Sequence, residues 1–233
     1  PIWGTAQVFT RVWSVAPWAI QLVSLTGVTG LVFVVVASQA LAARALVRPR
    51  GQWRAAAALA VVLLVPTVTN AILWHKKPLR KVRVAAVGWT FEQLPRGRRS
   101  STQLIFDTMY LPLVRRAAVR GAKLVVSPET AFRVDGNRRS AFLARLSRLA
   151  REHRVWLAVG YFDEHRRRNQ LVTIDDRGTL MGEYSKTHLI YKLESYVAGE
   201  GNLVTTKTPH FVMGGMICQD DNFTDLSRGL GKI

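Results

Sequence analysis

Two uncharged stretches set the first limit on what this chain can fold into. From Val12 to Ala43 no side chain carries a charge over 32 residues, and from Ala55 to Trp74 none does over 20. A helix needs roughly 20 apolar residues to cross a bilayer. Pro17, Gly27 and Gly30 argue against one straight helix over the first run. We therefore expect a span near Leu25–Ala43, preceded by an interfacial or bent segment containing Trp13 and Trp18. The second run reads as another span, because neighbouring helices can satisfy the groups that Pro66 and Asn70 free. Four arginines in Arg44–Arg54 place that loop in the cytoplasm and send the second span to the opposite side. The basic stretch His75–Arg83 pulls the other way. The chain thus divides into a membrane region over 1–78, with about two transmembrane helices, and a soluble domain over 79–233.

Charge adds little to this partition. The formal charge is +18, and no Asp or Glu precedes Glu92. A polycation suits nucleic acid or an anionic membrane surface, but arginines scattered over many segments suit solvated helices equally well. One cysteine excludes an internal disulfide framework and any zinc site built on several Cys ligands. The first apolar run is too long for a signal peptide and lacks a small-residue cleavage site. The start at Pro1 and the ending Gly-Lys-Ile read as those of a fragment.

Beyond Val82 the pattern becomes that of a layered α/β domain. Val82–Val87, Leu124–Val126 and Val155–Tyr161 are short apolar strands. Leu104–Arg120 and Arg138–His153 are amphipathic at helical spacing. Leu171–Ile174 and Thr179–Tyr184 flank the hairpin turn Asp175-Asp176-Arg177-Gly178, and Phe211–Cys218 is a last strand. Helices between the early strands indicate α/β layering.

Three polar residues stand at strand ends: Glu129 in Ser127-Pro128-Glu129, Lys186 in Tyr184-Ser185-Lys186, and Cys218 after Met216-Ile217. If the three strands share a sheet, the groups converge. A thiol with an unperturbed pKa of about 8.5 needs a base to act as a nucleophile near neutral pH. Here a carboxylate would take the proton. An ammonium, with the backbone N–H after Cys218 (that of Gln219), would hold the oxyanion. Any of His75, His153, His165, His188 and His210 could serve as base instead, and none is forced into the role.

The motifs Pro128-Glu129-Thr130-Ala131, Lys186-Thr187-His188-Leu189 and Ile217-Cys218-Gln219-Asp220-Asp221-Asn222-Phe223 resemble, in order and approximate spacing, the three catalytic motifs of the nitrilase (carbon–nitrogen hydrolase) superfamily. The hairpin Asn169–Glu183 leading to Lys186 resembles it too, and the likeness covers roughly Val82 to Leu226. It implies a nitrilase-like α-β-β-α sandwich preceded by transmembrane helices, with Glu129 as base, Lys186 as oxyanion-stabilising cation and Cys218 as nucleophile. Within the superfamily the uncharged runs liken the chain to apolipoprotein N-acyltransferase and its membrane-anchored relatives. Their second essential Glu lies eight residues after the Lys, which here is Glu194. Where that family commonly has Pro-Phe-Gly-Glu this chain has Tyr191-Lys192-Leu193-Glu194, and Gln219-Asp220 stands where Tyr-Glu is usual.

The resemblance implies a multi-pass protein of the cell (inner) membrane with an extracytoplasmic catalytic domain. It would take a phospholipid as acyl donor and a lipoprotein as acceptor, with no metal or organic cofactor and no nucleic acid partner. It also implies more catalytic domain after the Cys, so that the sandwich here is C-terminally incomplete, ending 15 residues past Cys218. A membrane-tethered amidase or nitrilase using the same triad, and a non-enzymatic basic module with an inert Cys218, are the competing readings.

Overall fold

The computed structural model describes residues 15–47, 51–75, 81–90 and 101–231, and divides into two compact units on either side of the bond between residues 80 and 81. In the first unit a single 3-10 turn, Pro17–Ala19, precedes α1 (Val23–Val47) and α2 (Gln52–Trp74). Both helices are long and apolar enough to cross a membrane. Gly27 breaks α1 at φ +66°, a conformation that costs glycine nothing, so the regular helix begins close to the expected Leu25. Asn70 ties α2 to the segment just before α1. Its side chain accepts from the Leu22 N–H at 2.7 Å and donates to the Ala19 carbonyl at 2.6 Å. Ser38 and Thr67 return their hydroxyls to carbonyls four residues back, which satisfies these two donors on apolar helices. One expectation is corrected. Arg44 and Arg54 lie within helices, not in a loop over Arg44–Arg54. Residues 48–50, the segment around Trp13 and most of the His75–Arg83 stretch fall outside the described residues.

The second unit is built on a six-stranded sheet in the order β1 (Val84–Ala86), β2 (Leu124–Val126), β4 (Trp156–Asp163), β5 (Arg168–Ile174), β6 (Leu180–Ser185), with β3 (Phe132–Val134) also paired to β4. β1, β2, β3 and β4 run parallel, as crossover helices require, and β4–β5–β6 is an antiparallel meander. The expected Leu104–Arg120 helix is one continuous helical run: α3 (Thr102–Ile105), a π turn over Phe106–Tyr110, and α4 (Leu111–Val119). α5 (Gly136–His153) ends on Arg154 in the left-handed region. These helices bury one stripe against one face of the sheet. Phe132 lies at the centre of that layer, within 5.2 to 6.1 Å of the rings of Trp89, Phe106, Tyr110 and Phe142. Ring pairs at these distances add to what burial alone contributes.

Two short strands went unanticipated, β3 and β7 (Thr205–Lys207), and both bear on function. β2 and β3 pair in succession along the same edge of β4, and residues 127–131 loop out between them. The backbone of that loop crosses β4 so closely that a Cβ on Gly160 would lie 2.3 Å from the Pro128 carbonyl oxygen, so only glycine fits there. The last strand is shorter than Phe211–Cys218. β8 (Val212–Gly214) pairs with β7 in a separate two-stranded sheet, and Gly214 and Gly215 leave room for Leu230 and Leu171 where a side chain would stand. Cys218 therefore does not end a strand of the main sheet. It opens a 3-10 turn, Cys218–Asn222, followed by α6 (Thr224–Gly231).

Candidate active site

The break between β2 and β3 puts Glu129 on the sheet's rim, since a residue in a strand would point to a face. Thr130, just after it, is turned by a φ of +48°. Lys186 follows β6 directly. β6 is antiparallel to β5 and so parallel to β4, which brings its carboxyl end to the same rim as the end of β2. Cys218 arrives from the second sheet: both Glu129 and Cys218 wall a cleft of about 350 Å³ floored by Ala158, Gly160, Leu171 and Thr173.

Lys186 is 1% exposed. Its ammonium stands 2.9 Å from Oε1 of Glu129 and 2.7 Å from Oε1 of Glu194. Burial works against the charge, but the hydrogen bonds that the ammonium donates to Glu194 and Glu129 outweigh it and hold the lysine above its ordinary pKa. Glu194 is the mirror case. Burial disfavours its charged form, yet Lys186, the Ile190 N–H (2.8 Å to Oε2) and Tyr196 keep it below the usual carboxylate range. A carboxyl depressed in the folded state contributes stability above its unfolded pKa of about 4.3 and loses it as the pH falls further. The pair is thus fully effective at neutral pH.

Cys218 is held at φ +48°, a left-handed conformation rare for a residue with a Cβ. Burial pushes its thiol pKa up and the neighbouring Glu129 carboxylate pushes it further. Lys186 and the backbone N–H of Gln219 act in the opposite direction. The balance of these effects leaves the thiol above its ordinary pKa, with Glu129 as a hydrogen-bond partner. The Gln219 side chain plays a separate part, accepting from Asn222 at 3.1 Å.

The structure adds residues that sequence reasoning did not single out. Asp220, 0% exposed, accepts from the Tyr184 hydroxyl (2.7 Å) and from the N–H groups of Thr187 (3.2 Å) and His188 (2.6 Å). It ties the turn carrying Cys218 to the segment carrying Lys186. His188 is held in this link, 3.2 Å from Asp220 and stacked on Phe223 at 3.6 Å, and so is structurally committed. Asn169 donates to Glu129 at 2.6 Å, and Tyr196, its own pKa pushed up to about 12 by burial, packs edge-on against Phe162. A buried acid two residues past a cysteine was a usable signal for Asp220; nothing local marks Asn169 or Tyr196. Asp220→Ala strands several buried donors at about 1–3 kcal/mol each. We expect a loss of roughly 3 kcal/mol in urea unfolding, with Asp220→Asn losing less because one acceptor remains.

Residues 85–232 match the family model described as carbon-nitrogen hydrolase. Three structures of an amidase from Nesterenkonia are similar in fold. One is 21% identical and covers 65% of this chain and 61% of its own, with a TM-score of 0.55. A variant described as from the nitrilase superfamily is 20% identical, with coverages of 66% and 62% and a TM-score of 0.55. A third, 20% identical with coverages of 64% and 61% and a TM-score of 0.54, shows Michael addition of acrylamide at the active site cysteine of that enzyme. The chain spans about three-fifths of the length of these relatives.

Proposed function

Because the chain belongs to the carbon–nitrogen hydrolase (nitrilase) family, we propose that it is a membrane-bound N-acyltransferase that moves an acyl chain from a phospholipid to the N-terminal amine of a lipoprotein through a thioester on Cys218. The observation that carries the chemistry is the buried ammonium of Lys186 held by Glu129 and Glu194 beside the turn of Cys218. The observation that favours a lipid substrate is the pair of long apolar helices on the same chain. The spans would hold the protein in the cell membrane with the catalytic unit on the extracytoplasmic side.

In this reaction the thiol proton passes to Glu129 as sulfur bonds to the ester carbonyl carbon. Lys186 and the Gln219 N–H hold the negative oxygen of the tetrahedral intermediate. Collapse releases the lysophospholipid alcohol, which takes the proton back from Glu129. The acceptor's amine then attacks the thioester, giving its proton to Glu129, which passes it to the departing thiolate. No step calls for a metal or organic cofactor. Glu194 touches no reacting atom; it fixes the ammonium.

Incubating the full chain with a labelled phospholipid should yield an acyl adduct on Cys218 by mass spectrometry. A folded protein with no adduct overturns this reading. The similar amidase structures favour a second one, in which water resolves the thioester and the chain is a membrane-tethered hydrolase of small amides. Turnover of amides without transfer to a diacylglyceryl-cysteine peptide would select it.

A further inference from the structure

Two nitrogen donors to Glu129 converge on one oxygen. The amide Nδ2 of Asn169 lies 2.6 Å from Oε1, and the Lys186 ammonium lies 2.9 Å from the same atom. Asn169 sits early in β5, is 1% exposed, and so is out of reach of any substrate. Its Nδ2 also donates to the Tyr196 hydroxyl at 3.3 Å, while its Oδ1 is buried with no hydrogen-bond partner among the described residues. The orientation of the amide follows from charge, because turning it over would set a carbonyl oxygen against a carboxylate oxygen. The backbone of Asn169 is tied to the site as well, its carbonyl accepting from the Lys186 N–H at 2.9 Å.

We propose that Asn169 is a positioning residue for the proton transfer: with Lys186 it occupies Oε1 of Glu129, leaving Oε2 to take the proton from Cys218. The inference rests on Glu129 being the base. Its orphan Oδ1 is the cost of this geometry, since a side chain that satisfied both ends of the amide could not be held by the carboxylate alone. The S–H bond of Cys218 breaks and an O–H bond forms at Oε2, on a carboxylate whose other oxygen already accepts from two donors. A carboxylate free to rotate would offer the thiol either oxygen, or neither.

Because the chain holds one cysteine, alkylation of the whole protein by iodoacetamide reports Cys218 alone. Its rate is measured from pH 5.5 to 9.5 in the unaltered chain, Glu129→Gln, Asn169→Asp and Asn169→Ser. A carboxylate at 169 would face Glu129 and make the two acids share a proton, keeping the base protonated to higher pH. Where the shared proton is held to about pH 7.5, a shift of roughly three units that buried paired acids can show, the reaction near pH 6.5 is about tenfold slower. Near pH 9.5, where hydroxide can take the thiol proton without Glu129, the rate should return to within roughly threefold of the unaltered chain. Asn169→Ser, neutral and small, should lose about threefold near pH 6.5 on the loss of one hydrogen bond, and it carries the test if Asn169→Asp does not fold. A merely structural role would change the rate alike at both ends of the range. The proposal is overturned if folded Asn169 variants keep the unaltered profile while Glu129→Gln changes it. If Glu129→Gln leaves the profile unchanged too, the assignment of the base has failed as well.

Discussion

Cys218→Ala is expected to fold and, if Cys218 is the proposed nucleophile, to lose the proposed acyl transfer by a factor on the order of 10⁴–10⁶. Cys218→Gly should lose it equally while gaining stability. The reason is the backbone. Cys218 is held at φ +48°, where a Cβ crowds the following carbonyl at a cost of roughly 1 kcal/mol or more. Alanine keeps that Cβ and the strain; glycine removes both. The offset is glycine's larger unfolded-state entropy, about 0.4–1 kcal/mol, so the net gain over Ala is modest. Thermal unfolding should rank Gly above Ala by a degree or more. The reverse order would mean the turn is unstrained and the thiol merely happens to lie there. Strain held at a reacting residue fixes the direction of its side chain, and a folded chain keeps such strain only where neighbours over-determine it. Here Asp220, two residues on, makes those bonds.

The helices and most of the main sheet were legible because their signals are local. The α5 stripe of Phe142, Leu146, Leu149 and Ala150 repeats at helical spacing and is buried as that spacing requires, and the Asp175–Gly178 turn fixes the β5–β6 hairpin. The strands that were missed are three residues long and owe their existence to a partner. β3 is a strand because β4 extends past the end of β2, and β7 because β8 lies beside it. No pattern in Phe132–Val134 could have announced that. For the same reason the site was legible as a set of residues and illegible as a geometry. Glu129, Lys186, Glu194 and Cys218 could be named from their motifs. That Glu129 occupies a gap between two strands, and that Cys218 comes from a second sheet, depends on pairings across more than 30 residues of sequence. The wrong assumption of one common sheet still led to the right neighbourhood, since the two layers face each other across the same cleft.

Lys186→Met should show what the buried ammonium does. Met matches the length and volume of the lysine stem, so packing is largely kept. The charge is what goes. Glu129 and Glu194 now face each other with their shared cation gone, and breaking a buried pair from one side typically costs about 3–5 kcal/mol. Part of that loss should return in Lys186→Met/Glu194→Gln, which removes one of the stranded charges; a non-additive recovery is the signature of direct coupling. The pH dependence should invert. In the unaltered chain Glu194 sits below the usual carboxylate range, so acid below about pH 4 removes stability. In Lys186→Met two like charges raise one carboxyl's pKa, so lowering the pH from 8 to 5 should restore stability by letting that group take a proton. The proposed transfer should fall by about 10²–10³ in kcat from the missing oxyanion partner, and acid that restores the fold should not restore this rate, because a protonated carboxyl supplies no cation. Denaturant midpoints at pH 8 and pH 5, read beside single-turnover acylation, separate the two roles. If stability falls alike at both pH values, Lys186 acts through packing alone and the electrostatic account of the site is wrong.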